Sequence, residues 1–106
     1  MSAVISLPLS RFTAASLQEA RRILMDDWDG EAPAMRAPQP VIVRPLADGH
    51  FALLDGFHRL AAALAARRRS LRAIVATEAE IAAYRSAGEE GEAAWIAGVL
   101  RRARRR

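Results

Sequence analysis

The sequence has no cysteine and no lysine, and its aromatic residues are two Trp, one Tyr and three Phe. Without cysteine, disulfide bonds, thiolate metal sites and thiol nucleophiles are excluded, and a reducing cytoplasm is the expected compartment. No stretch approaches the ~20 apolar residues that a membrane-spanning helix needs. Met1 to Ser10 lacks the charged start and apolar run of a signal peptide. We therefore expect neither secretion by signal peptide nor membrane insertion.

The basic residues are all arginine, 16 in number. Guanidinium groups carry a permanent charge and planar donors suited to phosphate, although a GC-rich coding bias explains the same choice and is the favoured interpretation. The formal net charge is +4, and five arginines follow Leu100 as an arginine-rich tail. Because the rest of the chain is nearly neutral, a broad nucleic-acid-binding face is not expected.

The length of 106 residues allows one compact core, so we expect one domain with a helical appendix. The abundance of alanine, arginine and leucine favours an α/β or α-rich fold. Apolar runs and turn residues predict strands at 4–9, 41–46, 50–54 and 71–76, the second and third forming a hairpin around Asp48-Gly49. Helical spacing predicts helices at 17–27 and 57–68. The succession of strand, helix and strand after residue 50 indicates a crossover unit, which is normally right-handed.

Two capping boxes mark helix starts, Ser16 with Glu19 and Thr77 with Glu80. Gly88 is expected to end the helix that Thr77 begins. A last amphipathic helix has glutamates before it and arginines after it, which complements its dipole. Its apolar residues are expected to pack on the domain rather than face a partner. The sequence thus divides into a domain at 1–87 and a C-terminal helix with its basic tail at 88–106.

The segment 26–40 contains Gly30 and three prolines, which indicates a loop. Its acidic residues could bind a cation, but their spacing matches no known ligand set, so a solvated loop is favoured and no metal site is predicted. These residues are Asp26, Asp27, Asp29 and Glu31.

The segment from Leu54 to Arg59 takes a strand through Gly56 directly into a helix. Such a junction presents unpaired backbone N–H groups and the positive end of the helix dipole, which together favour an anion. His58 and Arg59 in the first turn oppose that dipole by ~0.3–1 kcal/mol, and a bound phosphate would reverse the sign. Gly56 permits close backbone approach, and Arg59 has two parallel donors for phosphate oxygens. The segment predicts a phosphate site, although an ordinary turn with a solvated arginine is the alternative for so short a motif.

This segment, with the strand and hairpin at 40–54 before it, resembles the ParB/sulfiredoxin superfamily and its Gly-x-x-Arg phosphate-binding helix. The likeness spans roughly 4–85. It implies a small α/β domain, a short mixed sheet packed by helices, with an additional C-terminal helix in this chain. It also implies that Gly56, His58 and Arg59 contact the phosphates of a nucleotide, ATP, ADP or CTP, with Mg²⁺. Ser16 falls where sulfiredoxin-like proteins place a phosphate-contacting serine, and a capping role explains it equally well.

Departures from the superfamily pattern limit the reaction. Sulfiredoxin chemistry needs a cysteine immediately before His-Arg, and this chain has Phe57 there, so reduction of oxidised cysteine is excluded. Partition proteins add a helix-turn-helix module and a dimerisation domain, for which the ~20 residues after the resemblance are too few. Specific operator recognition is therefore not expected from this chain alone.

Two functions of different classes remain. The first is a nucleotide-binding domain with phosphohydrolase or phosphotransferase activity, in which Asp55, or an acid at 26–31, orients the attacking group beside Mg²⁺. The second is a non-enzymatic module whose basic C-terminal helix binds DNA non-specifically or a protein partner. A nuclease ranks last, because the chain has only two histidines, His50 and His58, and no recognisable two-metal carboxylate set.

Overall fold

The computed structural model describes residues 3–26 and 39–104 of the chain. The expectations for the acids at 27–31 and for the last two arginines lie outside the described residues. A 3-10 turn at Leu9–Arg11 follows the first strand. The elements, in chain order, are β1 (Ala3–Pro8), α1 (Ala14–Asp26), β2 (Val41–Pro45), β3 (Phe51–Asp55), α2 (Phe57–Ala65), β4 (Ser70–Val75) and α3 (Glu78–Arg104).

The four strands form one mixed sheet in the order β1-β4-β2-β3. β2 is antiparallel to β3 and parallel to β4, and β1 is an antiparallel edge strand beside β4. The expected α/β class, mixed sheet and hairpin are therefore confirmed. The proposed crossover unit is wrong, because β2 lies between β3 and β4 and the two strands joined by α2 run in opposite directions. β2 takes the centre since its residues Val41, Ile42 and Val43 are all fully buried.

Each face of the sheet has its own apolar core, because neighbouring residues of a strand point to opposite sides. Val41 and Val43 pack with α1 and α2, whereas Ile42 packs with α3. On the α3 side, Trp95 and Val99 are buried. The expectation that the last helix packs on the domain is thus confirmed. The partly buried apolar residues of α3 in this core are Ile81, Tyr84, Ile96, Leu100 and Ala103.

α1 begins at Ala14, three residues earlier than expected. The residue that caps it is Thr13, whose Oγ1 accepts a hydrogen bond from the Ser16 N–H at 3.2 Å, while Leu17 N–H donates to the Thr13 carbonyl. The predicted capping box of Ser16 with Glu19 is therefore wrong. Ser16 lies inside the first turn of α1, where its hydroxyl accepts a hydrogen bond from the Leu53 N–H of β3. The Glu19 carboxylate pairs with Arg22 at 3.0 Å.

The second capping box is confirmed at the start of α3. Thr77 N–H donates to Glu80 Oε1 at 2.9 Å, and Glu80 N–H donates to Thr77 Oγ1 at 3.2 Å. The other Glu80 oxygen accepts from Arg102 Nε at 2.9 Å, and the Glu80 carbonyl accepts from Trp95 Nε1 at 2.8 Å. Glu80 therefore ties both ends of α3 together. The helix breaks between them at Gly88, whose φ of 63° and ψ of −174° are non-helical, as the sequence predicts.

α2 ends at Ala65, three residues before the predicted end at 68. Arg68 N–H donates to the Ala63 carbonyl and Arg67 N–H to the Leu64 carbonyl, which is the Schellman pattern of helix termination. Arg67 occupies the position where glycine is usual, with a φ of 55°. Because arginine stands at this position instead of glycine, the early end was not predictable from local signals.

Arg67→Gly should be more stable than Arg67→Ala by about 1 kcal/mol. A left-handed L-residue costs ~1–2 kcal/mol, and the greater entropy of glycine in the unfolded chain offsets part of the advantage of glycine. Both variants remove the same charge, so the comparison isolates the backbone. Urea unfolding of the two variants measures the difference. An alanine variant as stable as the glycine variant would show that the left-handed turn is not strained.

No helix in residues 3–26 and 39–104 has the length and apolar character required to cross a bilayer.

Candidate functional site

A groove of about 690 Å³ opens at the N-terminus of α2. Four of the predicted site residues, Asp55, Gly56, His58 and Arg59, line it, and Ser16 does not. The remaining lining residues come from α1, β3, α2 and α3: Glu19, Ile23, Leu54, Phe57, Tyr84 and Glu92.

Gly56 joins β3 to α2 in a conformation that only glycine adopts readily, with φ 107° and ψ 28°. A Cβ at this position would lie 2.5 Å from Val41 Cγ1 and 2.9 Å from Val41 Cβ. Because Val41 is fully buried in the centre of the sheet, it has no room to move away. Packing therefore fixes the point at which the chain turns into the helix.

The mouth of α2 has no side-chain cap. The first backbone hydrogen bond of the helix runs from Leu60 N–H to the Gly56 carbonyl at 3.0 Å. The N–H groups of Phe57, His58 and Arg59 precede that bond, and such groups at a helix start have no acceptor within the helix. They point out of the helix end with the positive pole of its dipole, which is an arrangement suited to an anion.

Arg59 is half-buried at this mouth and His58 is exposed. Arg59 Nη2 donates a hydrogen bond to Gln39 Oε1 at 2.8 Å. Gln39 is a neutral amide, and among the described residues no carboxylate lies within salt-bridge distance of Arg59. The hydrogen-bond partner that orients the guanidinium is therefore neutral.

Three carboxylates also line the groove, those of Glu19, Asp55 and Glu92. They outnumber the single guanidinium of Arg59, so a bare phosphate would meet repulsion as well as attraction. A phosphate accompanied by a divalent cation fits this mixture better, since the cation offsets the carboxylate charge. In the part of the chain that the structure describes, no three His, Asp or Glu side chains are placed to hold a metal ion by themselves.

Burial raises the pKa of Asp55 above its ordinary value of 3.8, and the Arg59 guanidinium and a backbone hydrogen bond at Gly56 oppose this effect. Burial, and then the charges of Glu92 and Asp55, likewise raise the pKa of Tyr84. The charged form of Asp55 is thus disfavoured by folding. Carboxyl groups whose pKa is shifted by burial are found more often at functional sites than elsewhere.

Asp55→Asn should stabilise the protein at neutral pH, because the raised folded pKa means that ionisation of Asp55 costs stability. Protonated Asp55 does not oppose folding, so the protein keeps its full stability below pH 3.8, the ordinary pKa of the group. Stability falls as the pH rises through the raised pKa of Asp55 in the folded state. The gain from Asp55→Asn should therefore vanish below pH 3.8 and grow above it. Unfolding curves of both proteins across this range measure it, and a pH-independent difference would contradict the argument.

Ser16 is buried between α1 and β3, away from the groove. Its hydroxyl accepts a hydrogen bond from Leu53 N–H at 3.1 Å and lies 2.8 Å from Thr13 Oγ1. These contacts attach the start of α1 to β3 and give Ser16 a structural role in this conformation.

Sequence reasoning missed four polar residues at the site: Gln39, which contacts Arg59, and Tyr84, Glu92 and Glu19, which line the groove. Gln39 follows the proline-rich segment and carries no local signal. Tyr84 and Glu92 lie on opposite sides of the helix break at Gly88, so helical spacing does not relate them. No local signal in the sequence therefore pointed to their shared groove.

Residues 2–90 match the ParB N-terminal domain. The chain belongs to this family. No curated protein matched the chain.

The family match covers every element of this ParB N-terminal domain up to the first part of α3. Among the groove residues, only Glu92 lies beyond it. The rest of α3 supplies that carboxylate and buries Trp95 and Val99 against the sheet. One wall of the groove therefore comes from a segment outside the matched region.

Proposed function

We propose that this ParB N-terminal domain binds the phosphate groups of a nucleotide, ATP, ADP or CTP, together with Mg²⁺, at the mouth of α2. The phosphate cradle consists of the backbone N–H groups that open α2 and the side chains of His58 and Arg59, with Gly56 at its base. The observation that supports this most strongly is Gly56, where close packing against the buried Val41 side chain and an uncapped helix start coincide.

The shape of the groove supports a small-molecule ligand. Its volume of about 690 Å³ lies within the ~300–1,000 Å³ common for such sites. Phe57 and Tyr84 give the groove apolar surface beside the phosphate end, and Ile23 adds to it from α1. A nucleotide has the matching division into a charged phosphate chain and an apolar ring.

The groove carboxylates of Glu19, Asp55 and Glu92 would hold Mg²⁺ beside the nucleotide phosphates. When bound, it would neutralise charge that develops on a transferred phosphoryl group. Asp55 is the side chain we assign to orient an attacking water or hydroxyl, because it adjoins the cradle and its raised pKa makes it a stronger proton acceptor than an ordinary aspartate. The proposed activity is nucleotide hydrolysis or phosphotransfer.

A second candidate is a non-enzymatic module that binds DNA or a protein partner through the C-terminal part of α3. A shallow groove of about 440 Å³, lined by Ala97, Leu100, Arg101 and Arg104, supports it. Against it, Arg102 is engaged with Glu80 at 2.9 Å and the apolar face of the helix is used in the core. The nucleotide function is therefore the better supported of the two.

Isothermal titration of the full chain with ATP, ADP and CTP in Mg²⁺ tests the proposal. We expect heat of binding with at least one of the three and weaker binding when EDTA removes the metal, since the groove carboxylates then repel the phosphates. A chain that is folded by circular dichroism and gives no heat with any of the three would overturn the proposal.

A further inference from the structure

Four arginines surround the far end of α2, about 14 Å of helix from the phosphate cradle. Arg67, Arg68 and Arg69 form the turn into β4, and Arg72 follows on β4. We call these four residues the arginine turn. All four are exposed. They belong neither to the groove nor to the arginine tail that follows Leu100.

No acidic residue accompanies the arginine turn in its own elements. β1, the 3-10 turn and the segment 66–75 contain no Asp or Glu. Within residues 3–26 and 39–104, none of the four guanidinium groups lies in a salt bridge. The domain is therefore nearly neutral overall, but its surface at the arginine turn is positively charged. Such a surface raises the local concentration of anions.

Folding explains only part of this arrangement. A cation at a helix C-terminus is stabilised by the dipole, but the effect falls off within the last turn, whereas Arg69 and Arg72 lie beyond the helix. Arg67 also occupies a left-handed position, φ 55°, that glycine would fill with less strain. The turn thus keeps a guanidinium at a position where fold stability favours its removal.

The neighbours of the arginine turn indicate the chemistry of its partner. Ser6 pairs with Arg72 across β1 and β4, and its hydroxyl donates to Ser70 Oγ at 3.2 Å on the exposed surface. Arginine and serine side chains are the usual donors to nucleic-acid phosphates. The large apolar residues that are exposed among those described are Val4 and Met25, and neither belongs to this turn, so it offers no side chain for insertion into a bilayer.

We infer that the arginine turn is an interaction surface for the phosphodiester backbone of duplex nucleic acid, independent of sequence. The four guanidinium groups contact successive phosphates, and the short serine side chains allow the backbone to approach the edge of the sheet. This binding is separate from the nucleotide site and does not require it.

Fluorescence anisotropy with labelled DNA and RNA duplexes of ~20 base pairs, titrated against the full chain, tests the inference. The variant Arg68→Ala/Arg69→Ala should weaken binding about 10-fold at low salt and reduce the slope of log affinity against log salt by about two. The backbone hydrogen bonds of both residues remain available in it. The matched control, Arg21→Ala/Arg85→Ala, removes the same charge from exposed positions on α1 and α3 and should retain most of the affinity.

Arg67→Gly separates binding from folding, since it should weaken duplex binding while leaving the thermal midpoint at least as high. Arg59→Ala should leave duplex binding intact, so that failure of the nucleotide site is distinguishable. Comparable affinity for DNA and RNA supports backbone contact, and a preference for one identifies the source of the phosphates. Equal losses in the test and control variants would overturn the inference. So would binding that depends on Arg101 and Arg104, or binding to phosphatidylserine vesicles with none to either duplex.

Discussion

Gly56→Ala is expected to destabilise the fold by about 3 kcal/mol. Overpacking of a core costs ~1–3 kcal/mol, and a left-handed L-residue costs ~1–2 kcal/mol more. Both apply here, because the new Cβ would lie 2.5 Å from Val41 Cγ1 at a φ of 107°. Relief requires movement of β2 or of the start of α2, and the second movement displaces the phosphate cradle. Urea unfolding and nucleotide titration of one preparation measure both consequences.

Gly49→Ala is the matched control for the cost of a left-handed backbone conformation. Gly49 also has a left-handed φ, 87°, but the nearest atom to its Cβ is Arg11 Nη1 at 3.8 Å, at the end of a flexible side chain. We expect a loss of about 1 kcal/mol from strain alone and unchanged nucleotide binding. Equal destabilisation by the two variants would mean that the contact with Val41 does not hold the helix start in place.

Arg59→Ala is expected to weaken nucleotide binding about 10- to 100-fold, because a hydrogen bond to a charged group contributes ~1.5–3 kcal/mol. The side chain is half-buried, and Gln39 orients it at 2.8 Å, so little ordering cost remains when phosphate binds. The loss should be greater for the nucleotide with the longer phosphate chain. Titration calorimetry with ATP and ADP measures both comparisons.

Two further variants test whether nucleotide binding depends on the geometry of the Arg59 side chain or on its charge alone. Arg59→Lys keeps the charge but loses the planar pair of donors, so it should restore only part of the affinity. Arg21→Ala removes an exposed arginine that does not line the groove and should bind normally. If Arg59→Ala binds every nucleotide as tightly as the parent chain, the cradle does not include Arg59.

Local signals predicted most of the fold. The Asp48-Gly49 pair fixed the hairpin, and the reciprocal spacing of Thr77 and Glu80 fixed the start of α3, since both depend on residues close in sequence. The predicted start of α1 was wrong because the actual start depends on a tertiary contact. Thr13 and Ser16 are both good caps by composition, and the choice is settled by the Ser16 bond to Leu53, 37 residues away in the chain.

The order of the strands also lay beyond local signals. Nothing in the segment 50–76 shows that β4 pairs with β2 rather than with β3, because the choice follows from burying Val41, Ile42 and Val43 on both faces. The residues of the candidate site also fall into those that local signals predict and those that the fold brings in. The residues around Gly56 form a contiguous motif and were predicted, whereas Gln39, Tyr84 and Glu92 reach the groove only through the folded sheet and α3.

The most direct measurement is a titration of the ¹⁵N-labelled chain with nucleotide and Mg²⁺, followed by the backbone amide signals. If phosphate binds at the mouth of α2, the amides of Phe57, His58 and Arg59 shift most, and they shift in the same direction with inorganic tripolyphosphate. Signals that move only at the C-terminal end of α3, or that do not move at saturating nucleotide, would contradict the assignment of the site.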